Sequence, residues 1–126
     1  MTFVDTNVFM YAVGGEHPLR DQSRARLFDA VERGWPLVTS AEVLQELLHA
    51  YLPVGRQPTL DAALALVAGC VDEVWPVEAD DVHLARALDT EHPGLAARDL
   101  IHVACCRRRR VGDAMTFDRG FAAAMS

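Results

Sequence analysis

Residues 36–51 read Pro-Leu-Val-Thr-Ser-Ala-Glu-Val-Leu-Gln-Glu-Leu-Leu-His-Ala-Tyr. Pro36, Leu37 and Val38 predict a brief strand. Thr39-Ser40-Ala41-Glu42 then has the spacing of a capping box, in which a hydroxyl and a carboxylate satisfy each other's backbone N–H groups and open a helix. Val43, Leu44, Leu47, Leu48 and Tyr51 recur at helical intervals, and Pro53–Gly55 should stop the helix. A strand that runs straight into a helix is the repeating unit of an α/β chain.

The same alternation extends both ways. Thr2 to Val4 predicts a first strand ending on Asp5, with a helical stretch behind it. A helix from about Pro18 to Arg33 has Leu27, Phe28 and Val31 on one side, and Gly34 stops it. Beyond Tyr51, Pro58 and Thr59 start a helix that reaches Gly69 or Cys70, and Glu73 to Val77 predicts a third strand. Helices over Ala79–Asp89 and Asp99–Arg110 flank the loop His92-Pro93-Gly94. Ala114 to Phe117 predicts a fourth strand, and a short helix follows Asp118. Strands separated by helices imply a parallel sheet covered on both faces. At 126 residues the chain is expected to be one domain, 1–126.

Composition removes several function classes. Twelve bases against eighteen acids give a net charge of −6, so the surface as a whole does not attract a polyanion. Every base is Arg. Without Lys there is no phosphate-binding P-loop, no Schiff base and no kinase-like site. The run Ala62 to Val71 is too short to span a bilayer. An acid at Asp5, where an export signal carries positive charge, implies a cytoplasmic protein. Cys70, Cys105 and Cys106 make no metal or redox spacing, and the adjacent pair is expected as packed, reduced thiols.

Four acids have positions that matter. In a parallel sheet, ligands gather beyond the carboxyl ends of the strands. Asp5 and Asp118 end the first and fourth predicted strands, and Asp99 opens a helix. Each alone is also a good turn or cap residue; an N-cap Asp stabilises its helix by about 1 kcal/mol. At about 100° per residue, Glu42 lies opposite the apolar face of its helix, whereas Glu46 lies about 40° nearer its border and can reach inward. Carboxylates gathered at one edge repel one another, and a divalent cation relieves that repulsion. An oxygen-only set suits Mg²⁺ or Mn²⁺ better than Zn²⁺, and such a site can hold a phosphodiester for hydrolysis.

FVDTNV (3–8), TSAEVLQELLHAY (39–51), ARDLIHVA (97–104) and MTFD (115–118), in this order, resemble the four signature segments of PIN-domain ribonucleases, above all the VapC-type toxins of bacterial toxin–antitoxin pairs. The resemblance implies a three-layer α/β/α fold around a short, mainly parallel sheet of four or five strands, the fifth being a final edge strand. It implies Asp5, Glu46, Asp99 and Asp118 as the metal-binding and catalytic acids, with Asp5 and Asp99 the direct ligands. Asn7, Ser40 and Thr116 match the small polar positions that support such a site. It further implies Mg²⁺-dependent cleavage of RNA, a homodimer, and a small VapB-type antitoxin that joins the toxin in a hetero-oligomer.

Basic residues divide in two. From Arg98 to Arg119 there are six Arg against three acids, a local reversal that suits an RNA substrate. Arg98 and Arg119 flank acids and are the candidates for phosphate contact. Arg107 to Arg110 lie roughly 12–16 Å farther along the helix that Asp99 opens, so their expected role is structural or solvated. His102, three residues after Asp99, reads equally as packed or as a donor to the site. His49 and His83 suggest no role. Trp35 and Trp75 are expected to pack, and the Ala-rich helix over Thr59–Ala68 suits a core or a subunit contact. Two other functions compete. One is a catalytically silent PIN-like binding module, which should have lost one of the four acids. The other is a haloacid-dehalogenase-type phosphatase suggested by GDAMTFD (112–118), which needs an Asp where Asn7 stands.

Overall fold

A computed structural model describes residues 1–126. In chain order it contains β1 (Thr2–Val4), α1 (Thr6–Val13), α2 (Pro18–Glu32), β2 (Leu37–Ser40), α3 (Ala41–Tyr51), a 3₁₀ turn (Leu52–Val54) and α4 (Gln57–Cys70). β3 (Glu73–Trp75), α5 (Ala79–Leu88), α6 (Ala97–Arg108), β4 (Ala114–Met115) and α7 (Arg119–Met125) follow. The strands form one sheet in the order β3-β2-β1-β4. All three pairings are parallel, with Phe3 opposite Val38 on one side and Ala114 on the other, and Thr39 opposite Val74. Every residue of β1 and β2 is buried, as expected of central strands covered on both faces. On the helical side of the packing, α1 lies against α2 and α4, and α5 against α6.

The sheet has four strands, all parallel, without a fifth at the edge. Because they run the same way, the chain leaves β1, β2 and β4 at one edge of the sheet, where Asp5, Ser40 and Thr116 lie. No helix is long and apolar enough to cross a membrane.

Several local expectations need correction. Thr39 does not open α3. It is still paired in the sheet, and its hydroxyl donates to the Val4 carbonyl at 2.9 Å. Ser40 is the residue at the helix start and makes no side-chain cap bond, so there is no capping box here. α2 buries Ser23, Leu27 and Ala30, a stripe of mostly small side chains, and leaves Phe28 and Val31 about half exposed on its flank. β3 stops at Trp75 and β4 at Met115, both earlier than expected. In β4 the reason is visible: the Phe117 N–H donates to the Asn7 side chain at 3.3 Å and not to a strand. α6 begins at Ala97, so Asp99 lies within its first turn and is not the cap. Cys105 and Cys106 are buried free thiols, and burial pushes the Cys105 thiol up to about 12.

Candidate active site

Asp5 is the first residue after β1 and the N-cap of α1, where its Oδ1 accepts from the Thr6 N–H at 2.8 Å. Its other oxygen, Oδ2, accepts from the Thr116 hydroxyl at 2.7 Å. Thr116 is positioned in turn by Asn7, whose Nδ2 approaches its hydroxyl at 3.4 Å, and it accepts from the Asp118 N–H at 3.0 Å. A short polar chain therefore ties the end of β1 to the segment behind β4. Asp118 caps α7 by accepting from the Phe121 N–H at 3.0 Å while remaining exposed at the same edge. A cap and a site residue are not alternatives here, because each carboxylate has two oxygens.

Glu46 enters from α3. Its Oε2 accepts from the Thr6 hydroxyl, and its Oε1 lies 2.9 Å from His102 Nε2. Asp5, Glu46, Asp99 and Asp118 all line one cleft of about 260 Å³, which Arg98, Asn7 and Thr6 also border. Ligand-type atoms of Asp5, Glu46 and His102 lie within 4.8 Å of one another. Glu42 does not line this cleft, as the helical-wheel argument required.

The electrostatics match a cluster of like charges. Burial, joined by the charges of Asp5, Asp118 and Glu46, pushes the Asp99 carboxyl up to about 6. Burial also raises Asp5, against the opposing hydrogen bond from Thr116. Glu46 goes the other way: burial opposes its charge, but the His102 hydrogen bond and the His102 charge hold it below the usual carboxylate range. His102 shifts up because its hydrogen bond to Glu46 and the surrounding carboxylates outweigh burial. Sparse charge compensation around Asp99 is the electrostatic signature of a place that can accept a cation.

Among the supporting residues, Asn7 and Thr116 stand in the network described above. Ser40 is fully buried and its hydroxyl has no hydrogen-bond partner. Arg98 lines the cleft, whereas Arg119, also exposed, does not. Two contributors had no sequence signal of their own. Thr6 is hidden inside the FVDTNV segment, and His49 lines the cleft because it lies one helical turn beyond Glu46 on α3. A three-residue offset from a site acid would have found His49.

With this geometry in view, the comparison with known families is decisive. The PIN domain profile matches residues 2–125. The chain belongs to the PIN-domain family. Ribonuclease VapC23 of Mycobacterium tuberculosis is 60% identical to it over 124 residues, covering 98% of both chains. Two solved PIN-domain folds superpose closely. The structure of Mycobacterium tuberculosis VapC20, described as a Sarcin-Ricin loop cleaving toxin, has a TM-score of 0.82 at 24% identity and covers 98% of this chain and 95% of that one. VapBC2 from Rickettsia felis, bound to a DNA fragment from its promoter, has a TM-score of 0.74 at 17% identity and covers 97% and 91%. At these identities the two structures speak to the PIN fold and not to substrate. PIN-family membership also removes the phosphatase alternative, and all four acids, of which a silent module should have lost at least one, are present.

Proposed function

We propose that this PIN domain, residues 1–126, is a metal-dependent endoribonuclease that acts as the toxin of a toxin–antitoxin pair. One observation carries the reading. Asp5, Glu46, Asp99 and Asp118 converge in one cleft with Arg98 at its border, in a chain 60% identical to a VapC ribonuclease. The donors fit a hard divalent cation: carboxylate oxygens predominate, and the Asp99 carboxyl is raised to about 6 by burial among like charges. Asp5 and Asp99 would bind Mg²⁺ or Mn²⁺ directly, with Glu46 and Asp118 completing the set. When bound, the ion supplies positive charge to a phosphodiester and acidifies a water molecule.

The chain's own residues do the rest. Thr116 and the Thr6 N–H hold both oxygens of Asp5, which fixes the carboxylate plane. Asn7 supports that arrangement through Thr116, and the free hydroxyl of Ser40 at the end of β2 would support the same edge. Arg98 offers a guanidinium at the cleft border, and Arg119, next to Asp118, offers a second to the RNA phosphates. The cytoplasm is the compartment where RNA and a co-expressed antitoxin would meet the chain. A VapB-type antitoxin would inhibit by covering the cleft and placing an Arg or Lys among the four acids, in a hetero-oligomer built on a toxin homodimer.

Cleavage of single-stranded or looped RNA by the purified protein, with and without EDTA, tests the reading. Cleavage that Mg²⁺ or Mn²⁺ restores after chelation is the expected result. Full activity after exhaustive chelation overturns metal dependence, and no cleavage under any metal overturns the enzyme.

A further inference from the structure

His102 stands out because it is fully buried, charged or chargeable, and aimed into the acidic cluster. It lies on α6 three residues after Asp99, on a stretch where Val103, Ala104, Cys105 and Cys106 are also buried. Its ring packs against Phe3 of β1, with centroids 5.3 Å apart, and against Phe121 of α7 at 5.8 Å. Both contacts leave one edge of the imidazole facing the carboxylates. That edge carries Nε2, 2.9 Å from Glu46 Oε1 and 3.8 Å from Asp5 Oδ1. A carboxylate only accepts, so Nε2 carries a proton in this contact.

The other nitrogen decides what kind of residue this is. His102 Nδ1 is buried and has no hydrogen-bond partner. A histidine that binds a metal through one nitrogen almost always donates from the other to a carbonyl, a carboxylate or water, which sets the tautomer and strengthens the ligand. Here no carbonyl or carboxylate of the chain takes that place. Glu46, by contrast, has both oxygens engaged by the chain, one by Thr6 and one by His102. From this geometry we infer that His102 is a positioning residue, not a metal ligand. Its Nε2–H locks Glu46 beside Asp5, so that the two acids are arrayed before a cation arrives. The inference rests on the proposed metal-dependent reading of the cleft.

Two variants separate the roles. His102→Leu removes the donor, and His102→Gln keeps an N–H near the position of Nε2. Calorimetric titration with Mn²⁺ should show about tenfold weaker binding for His102→Leu and recovery to within about threefold for His102→Gln, the scale on which outer partners of ligands act. On RNA, His102→Leu should lower kcat with KM little changed. The electron-spin-echo spectrum of the Mn²⁺-loaded wild type should contain no directly bound imidazole nitrogen. A bound nitrogen, or a folded His102→Gln variant that loses more than tenfold in Mn²⁺ affinity, makes His102 a ligand and overturns the inference. A metal-free crystal structure of either variant gives an independent reading. Glu46 should turn away from Asp5 when Leu replaces His102 and stay when Gln does. Glu46 unmoved in the Leu variant overturns the positioning role. If His102→Leu does not fold, the Gln variant carries both measurements. Failure of the wild type to bind Mn²⁺ counts against the proposed function, whereas the movement of Glu46 is read without any metal.

Discussion

The two ends of α6 solve opposite electrostatic problems. Near its start, Asp99 faces Asp5, Glu46 and Asp118, and burial among those charges lifts its carboxyl to about 6. Near its end, Arg108 and Arg109 both donate to the fully buried Asp81 of α5, at 2.8 and 2.9 Å. Asp81 also accepts from the Glu78 N–H at 2.8 Å. Burial works against its charge, yet these partners hold it down to about 2. Arg109 further reaches the Pro76 carbonyl at 3.0 Å and stacks over Trp75 at 5.1 Å. One end is a closed set of charges that joins α5 to α6. The other is an open set whose counter-charges are the buried His102 and the exposed Arg98 at the cleft border. Charge left unbalanced at a strand edge is what function requires; charge balanced in a helix pair is what stability requires.

The comparison breaks most visibly at the open end. Asp5→Asn and Asp99→Asn should each reduce RNA cleavage by more than about 100-fold, equivalent to about 2.7 kcal/mol in the barrier, while the protein stays folded. Single-turnover kinetics with saturating RNA and Mg²⁺ measures this. Near-normal turnover in either variant would remove that residue from the metal site.

At the closed end the expected effect is on stability and not on rate. Asp81→Asn leaves two guanidiniums without their carboxylate and should cost about 2 kcal/mol, below the roughly 3–5 kcal/mol of a fully sequestered pair because the arginines reach solvent. For a chain of this length that is a fall of about 6–10 °C in Tm. The pH dependence has a definite sign. The folded-state value of Asp81 is depressed, so its contribution is present above about pH 4 and is lost as pH falls toward about 2. Wild type and Asp81→Asn should therefore converge in Tm on acidification. A gap that persists at pH 2 would mean that the carboxylate charge is not what holds α5 to α6.

These two ends were not equally readable beforehand. Asp5, Asp99 and Asp118 are flagged by local punctuation, since each adjoins a strand or helix end, and helical angle arithmetic separates Glu46 from Glu42. The Asp81 pairing has no local trace, because its partners lie 27 and 28 residues away on another helix. His102 read equally as packed or as a donor, and it is both. Its ring is buried because α6 is enclosed on nearly every side at that depth, which no helical period reveals. The absent capping box has a related cause. A hydroxyl three residues before a glutamate looks the same whether its residue has left the sheet or not, and Thr39 has not.

Asp99 also predicts a smaller effect of the opposite kind. Its folded-state value is raised, so without divalent ions its contribution falls as pH rises from about 4 through about 6. Asp99→Asn removes that penalty. In EDTA at pH 7.5 the variant should be more stable than wild type by about 1 kcal/mol, a figure discounted for the partial exposure of the side chain, and the advantage should vanish near pH 4. Thermal melts at the two pH values decide it. A variant less stable than wild type at pH 7.5 would mean that Asp99 serves its helix more than it strains the cluster.

The smallest effect should come from the two arginines that neither cluster uses. Arg107 makes only an exposed ion pair with Glu91 at 3.1 Å, and Arg110, in the left-handed region at φ 59°, makes no side-chain contact with a carboxylate. Exposed pairs of this kind contribute about 0–1 kcal/mol. Arg107→Ala combined with Arg110→Ala should therefore shift stability by less than about 1 kcal/mol and leave the cleavage rate at saturating RNA unchanged, while Arg98→Ala lowers that rate. If the distal pair touches a remote stretch of RNA, the loss will be confined to affinity, and the log–log salt slope of binding will flatten by about 0.7 per phosphate contact removed. Kinetics over a salt series keeps the two outcomes apart. Should the distal pair govern the saturated rate and Arg98 not, the scissile phosphate would lie at the other end of α6. The open cluster around Asp99 would then not be where the chemistry happens.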